Sequence, residues 1–127
     1  MDKVTVQGII EDYIYAYNIF NVEDMLANMA PDIEFESITN GEVTLEIKGI
    51  ENFRSQAEAA TNYFTKRKQT ITSLSIRGNT AEAVIDYEAK LAIDLPNGLK
   101  AGDKLELKGK SVFTFEDGKI MRLQDYS

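Results

Sequence analysis

The stretch from Gly109 to Ser127, GKSVFTFEDGKIMRLQDYS, constrains this chain more than any other. It reads as two strands joined by one turn. Side chains alternate between the faces of a strand, so the pairing register decides which residues share a surface. A three-residue loop, Glu116-Asp117-Gly118 with Gly118 in the left-handed region, pairs odd positions with odd. Ser111, Phe113, Met121, Leu123 and Asp125 then lie on one face. A two-residue Asp-Gly loop would set Phe113 against Arg122 and mix apolar with charged positions. The pattern therefore predicts the three-residue loop. It also predicts an apolar face bearing a single carboxylate, Asp125, with Ser111 diagonal to it.

The rest of the chain must cover that face. Val6, Ile9, Ile10, Tyr13, Ile14 and Tyr17 recur at helical spacing and predict an amphipathic helix over residues 4–19. Asn21 is an N-cap candidate for a short second helix, with Met25, Leu26 and Met29 inward and Pro31 ending it. From Asp32 to Ile38 the chain alternates, with Ile33, Phe35 and Ser37 inward and Glu34 and Glu36 outward. Asn40-Gly41 is a turn signal, and Val43 to Lys48 returns as the second strand. Ile50, Phe53, Ala57, Ala60 and Phe64 predict a third helix over residues 50–65. Lys66-Arg67-Lys68 would be its solvated, cationic end, suited to the helix dipole.

The remainder reads as strand. Gln69 to Arg77 slips phase between Ile71 and Leu74, which predicts a bulge or burial on both faces. Asn79 to Leu95 puts Ala83, Ile85, Tyr87, Ala89, Leu91 and Ile93 on one side and Glu82, Asp86, Glu88 and Lys90 on the other. Pro96-Asn97-Gly98 and Ala101-Gly102-Asp103 both carry turn chemistry. Lys104 to Phe115 returns with Gly109 as a candidate bend, and Lys119 to Tyr126 closes the sheet. One α+β domain over residues 1–127 follows: a strongly curved, mostly antiparallel sheet with three helices of the N-terminal half against it.

Composition narrows the chemistry. The chain has no histidine and no cysteine. That excludes a Ser-His-Asp triad, disulfides, thiolate metal sites and cysteine nucleophiles. Carboxylates, tyrosine, lysine and serine remain. A net charge of −7 argues against nucleic acid and against an anionic membrane surface. The N-terminal stretch has no basic region followed by an apolar run, so a cytoplasmic protein without a signal peptide is expected. No clustered metal-ligand spacing occurs, and neither a metal nor another cofactor is expected.

Several stretches together carry a family resemblance. They are Tyr13 to Asn18 followed by Asn21-Val22-Glu23, the strand PDIEFES, Gly49-Ile50 at the start of the third helix, and the closing SVFTFEDGKIMRLQDYS. With the order of elements, they resemble the nuclear transport factor 2-like superfamily. Within it they look most like the SnoaL-like branch of polyketide-cyclase-like proteins. The resemblance implies a cystatin-like cone with a ligand pocket at its mouth. It also implies a homodimer through the outer face of the sheet, where Leu74, Ile76, Val84 and Val112 stand among charges.

Two chemistries of that superfamily can be tested position by position. The ketosteroid isomerases use a tyrosine of the first helix and two acids; Tyr13 matches the tyrosine, but the acids fall on Ser37 and Ser111. Neither serine does the work of a carboxylate, which argues against that mechanism. The limonene epoxide hydrolases need an Arg-x-Asp pair where Tyr87 and Ala89 stand, so that mechanism fails as well. The polyketide cyclases rely on an acid in the cone, for which Asp125 is the candidate.

The expected function is a pocket that binds a small apolar or aromatic carbonyl compound. Its expected lining is Tyr17, Phe35, Ser37, Phe53, Tyr87, Ser111, Phe113 and Leu123. The alternative is a proton-transfer enzyme, a cyclase, isomerase or dehydratase, in which Asp125 moves the proton and Tyr13 donates to a developing enolate oxygen. The plainer reading of Asp125 is a strand-end carboxylate held by a structural bond. The plainer reading of the tyrosines is core aromatics.

Overall fold

The computed structural model describes residues 1–127. Three helices, α1 (Lys3–Asn18), α2 (Val22–Leu26) and α3 (Ile50–Thr61), accompany six strands. The strands are β1 (Met29–Thr39), β2 (Glu42–Lys48), β3 (Phe64–Arg77), β4 (Thr80–Leu91), β5 (Lys104–Glu116) and β6 (Lys119–Tyr126). They form one sheet in the order β2-β1-β6-β5-β4-β3. Every neighbouring pair is antiparallel except β1 with β6. This is the α+β cone with a curved, mostly antiparallel sheet and three helices that the sequence predicts.

Local chemistry explains the elements. Asp2 caps α1, accepting from the Thr5 N–H at 2.8 Å. Asn21 caps α2 in the same way through the Asp24 N–H. The stripe Val6, Ile10, Tyr13 and Ile14 on α1 is buried against the concave face of the sheet. Phe113, Ile120 and Leu123 are wholly buried at the centre of that core. No helix is long and apolar enough to cross a membrane.

The closing hairpin departs from expectation in its turn and in its register, and agrees in which residues share a face. The three-residue loop would set Phe113 opposite Met121 and Ser111 diagonal to Asp125, whereas Phe113 pairs with Leu123 and Ser111 directly with Asp125. Its loop has two residues, Asp117 and Gly118, with φ of 51° and 79°, and Glu116 pairs with Lys119. Positive φ at both positions is the type I′ turn, whose twist matches that of the flanking strands. Such a turn alone would oppose Phe113 to Arg122. A bulge prevents this: Phe115 pairs with Ile120 but Thr114 pairs with Arg122, leaving Met121 as the extra residue. Below the bulge Phe113 faces Leu123 and Ser111 faces Asp125. Ile120, not Met121, takes the core position near the turn. Burial fixed the lower register and the dipeptide fixed the turn; the bulge reconciles them.

Four other expectations are corrected. Pro31 does not end α2, which stops at Leu26; it lies in β1, where the pairing with β6 is irregular between Met29 and Glu34. A missing N–H is tolerated at such a gap in the ladder. Lys66-Arg67-Lys68 is not a solvated helix end. α3 stops at Thr61, the basic run belongs to β3, and Arg67 turns inward and is 5% exposed. The phase slip in β3 is a bulge at Thr72, since Ile71 pairs with Ile85 and Ser73 with Val84. It carries Leu74 and Ile76 to the inner face opposite Ala83 and Ala81, so neither belongs to the outer surface. Finally, β4 ends at Leu91, and Ile93 is exposed in the loop that follows. Both turn sequences are used in that loop: Leu95 N–H donates to Leu99, and Gly102 N–H donates to Leu91.

Candidate functional site

Asp125 sits on β6 beside Ser111 of β5 and Ser37 of β1, its register partners on either side. The Ser111 hydroxyl donates to Asp125 Oδ1 at 2.7 Å. Oδ2 has no hydrogen-bond partner. The one side-chain N or O atom that is both sealed and unpartnered is Gln69 Oε1, so Asp125 Oδ2 borders open space. That space is a cavity of about 230 Å³ on the concave face, walled by Asp125, Ser111, Tyr17, Tyr87, Gln69 and Leu107 among others. Desolvation pushes the Asp125 carboxyl up to about 6, and the Ser111 hydrogen bond partly opposes this. The side chain combines a half-buried setting with one free oxygen.

The opposite wall holds two tyrosines. The hydroxyls of Tyr17 and Tyr87 lie 2.9 Å apart and share one hydrogen bond. One of the two protons fills that bond, which leaves the other free to donate to a ligand. Burial raises both phenols, and the negative charge of Asp125 adds to the rise at Tyr17. They remain neutral donors at physiological pH. The Gln69 Oε1 acceptor beside them has no protein donor and is buried. A buried orphan acceptor is uncommon and favours a ligand hydroxyl or a water. Gln69 escaped the sequence reading because the Thr72 bulge hid the phase of β3. Leu107, 49% exposed on the inner face of β5, escaped because its neighbours leave no apolar run.

The other expected residues lie around this centre. Tyr13 is buried, with its ring edge-on to Phe113 at 5.9 Å between centroids. Its hydroxyl makes no hydrogen bond, yet it is not among the sealed atoms. Burial holds Tyr13 well above the usual phenol range, with the Asp125 charge next in importance. It does not line the 230 Å³ cavity. Phe113 and Leu123 are wholly buried beneath the floor of the site. Phe35 and Phe53 pack edge to face at 5.4 Å, between β1 and α3. Ser37 is half-buried at the Asp125 side of β1.

Gly109 has a structural duty here. A Cβ at that position would run into the carbonyl oxygen of Tyr126, so only glycine lets the end of β6 lie across β5. No group of three or more carboxylates gathers to hold a metal ion. A larger cavity of about 760 Å³ lies around Arg67, Ala89 and Leu105, bordered also by the exposed Lys66, Lys68, Glu88, Lys90, Lys104 and Glu106, and contains neither Asp125 nor Tyr13.

Solved structures share this architecture. TsrD from Streptomyces laurentii superposes with a TM-score of 0.81 at 18% identity, over 98% of this chain and 89% of its own. A candidate polyketide cyclase from Xanthomonas campestris reaches 0.85 at 20% identity, over 98% and 91%. An NTF2-like protein of unknown function from Burkholderia pseudomallei reaches 0.78 at 15%, over 98% and 90%. At such identities the likeness is one of fold. No curated protein matches the sequence. The family model of the SnoaL-like domain matches residues 10–123, nearly the whole cone from α1 to β6, and the chain belongs to the SnoaL-like family.

Proposed function

We propose that the concave face binds a small apolar or aromatic carbonyl compound and that Asp125 moves a proton on it. The observation that carries this reading is the Asp125 carboxylate. It lines a cavity, keeps one oxygen free and titrates near 6. A base poised close to the working pH combines a populated ionised form with a useful driving force. The free Tyr17–Tyr87 proton is the better-placed donor to an enolate oxygen, and Tyr13 stands behind it as a second phenol that feels the same charge. Cyclisation, isomerisation and dehydration of a polyketide-like substrate all require this pair of acts. Solved neighbours bearing the cyclase name support the class without selecting the reaction.

The test is Asp125→Asn, read by ligand affinity and by turnover of cyclic and polyketide-like carbonyl compounds. Retained binding with turnover lowered by about 100-fold or more is expected of a lost general base. Equal turnover would show that another group moves the proton. Binding without turnover in either protein would leave the simpler binding function.

The protein is read further as a cytoplasmic homodimer. Val84, 40% exposed, and Val112 stand on the outer face among Glu82 and Lys110, and this mixed surface suits a self-complementary contact.

A further inference from the structure

Arg67 is the one charged side chain buried in the core, 5% exposed. Its Nε–H donates to the Tyr17 carbonyl at 2.8 Å, in the last turn of α1, where the helix dipole favours a cation. The guanidinium lies 3.8 Å from the ring centre of Tyr17 and 4.4 Å from that of Phe20. Nη2 reaches only the Met25 sulfur at 4.0 Å, a weak acceptor. Arg67 belongs to none of the ion pairs in the protein. Nη1 has no partner and is not among the sealed atoms, so it borders open space.

That space is the 760 Å³ cavity. Its floor is Ala89, which stands in register between Arg67 on β3 and Leu105 on β5. The small side chain leaves room that a longer one would fill. Glu88 and Glu106 border the same region, but they are exposed on the outer face and oppose each other there. No carboxylate of the chain therefore neutralises Arg67. A buried cation without a counter-ion is costly, and a guanidinium with free N–H groups presents the fork that matches a carboxylate.

No residue lines both cavities, but their linings are neighbours along the chain at Tyr17 and Asn18, Lys68 and Gln69, and Glu106 and Leu107. Tyr17 stacks its ring on Arg67, and its hydroxyl shares a hydrogen bond with that of Tyr87 in the Asp125 cavity. Leu105 lines one cavity and Leu107 the other, two residues apart on the inner face of β5, about 7 Å along the strand. We propose that Arg67 and the space over Ala89 form an anion subsite that takes a carboxylate carried by the ligand. The carbonyl end of the same molecule lies at Asp125. This rests on the reading of the concave face as a ligand site.

The experiment compares 2-naphthoate with its methyl ester by isothermal titration. Wild type should bind the acid about tenfold or more tighter than the ester, as a charge-assisted pair implies. Arg67→Met should remove that preference. Because Arg67 also braces α1, Ala89→Leu provides a second variant that leaves the guanidinium and its bond to Tyr17 in place. It should remove the preference by filling the subsite. Equal binding of acid and ester to wild type would overturn the subsite while leaving the ligand pocket standing. A preference that survives Ala89→Leu would overturn it too. Failure of both probes to bind wild type would count against the pocket itself, and the subsite would fall with it.

Discussion

Asp125 shows how one residue couples folding to chemistry. Its carboxyl is raised from 3.8 to about 6 by burial. The folded state thus holds the proton more tightly than the unfolded state. The sign follows: the contribution to stability is fully present below pH 3.8 and is lost as pH rises through 6. Asp125→Asn, which removes the charge and keeps the shape, should therefore stabilise the protein at pH 8 by about 1–3 kcal/mol. At pH 4 the two proteins should differ little. Urea titrations at both values check this, and an Asn variant less stable at pH 8 would contradict it. Ser111→Ala removes the hydrogen bond that holds the carboxyl down. It should move the pH-rate midpoint upward, because the base then ionises less readily. Gly109→Ala sets a Cβ against the Tyr126 carbonyl and should cost about 1–3 kcal/mol in denaturant melts, the range for overpacking.

At the scale of elements, the closing hairpin balances two demands. The Asp117-Gly118 turn wants one register and the burial of Phe113 and Leu123 wants the other, and Met121 bulges between them. Gly118, at φ 79°, should resist replacement: Gly118→Ala is expected to destabilise by about 1–2 kcal/mol. The loss should appear in denaturant midpoints without a change in the Phe113–Leu123 pairing seen by NMR. The bulge at Thr72 acts likewise in β3. It turns Arg67 and Gln69 as well as Leu74 and Ile76 toward the concave face, and so furnishes two polar groups to the cavities.

For the whole molecule, the sheet divides labour between its faces. The inner face holds the core at one end and the Asp125 cavity at the other. The outer face is charged, with Lys110–Glu82 at 3.5 Å and Arg122 near Glu34 and Glu36. With Leu74 and Ile76 moved inside, its apolar content rests on Val84 and Val112. A dimer through this face should be sensitive to one of them: Val84→Arg is expected to shift the light-scattering mass from dimer to monomer. A monomeric wild type at micromolar concentration would count against the dimer.

The element order, the α+β class and the family were legible in the amino-acid sequence, because alternation, helical spacing and turn dipeptides are local signals. That Asp125 and Ser111 share a face was legible as well, since burying Phe113 and Leu123 together rules out pairing odd positions with even ones; which odd position faces which was not. Which of the expected residues meet depends on how the helices and strands pack. Phe113 and Leu123 went into the core and Tyr87 went to the cavity, although all three are apolar-face positions, because the helices cover only part of the concave surface. Arg67 reads as a solvated lysine-like charge in a basic run. It became a buried cation only because β3 begins earlier than its apolar pattern and brings it under the end of α1. Bulges hid the rest. One extra residue reverses the inward phase of everything beyond it, and its position is set by partner strands far away in the chain.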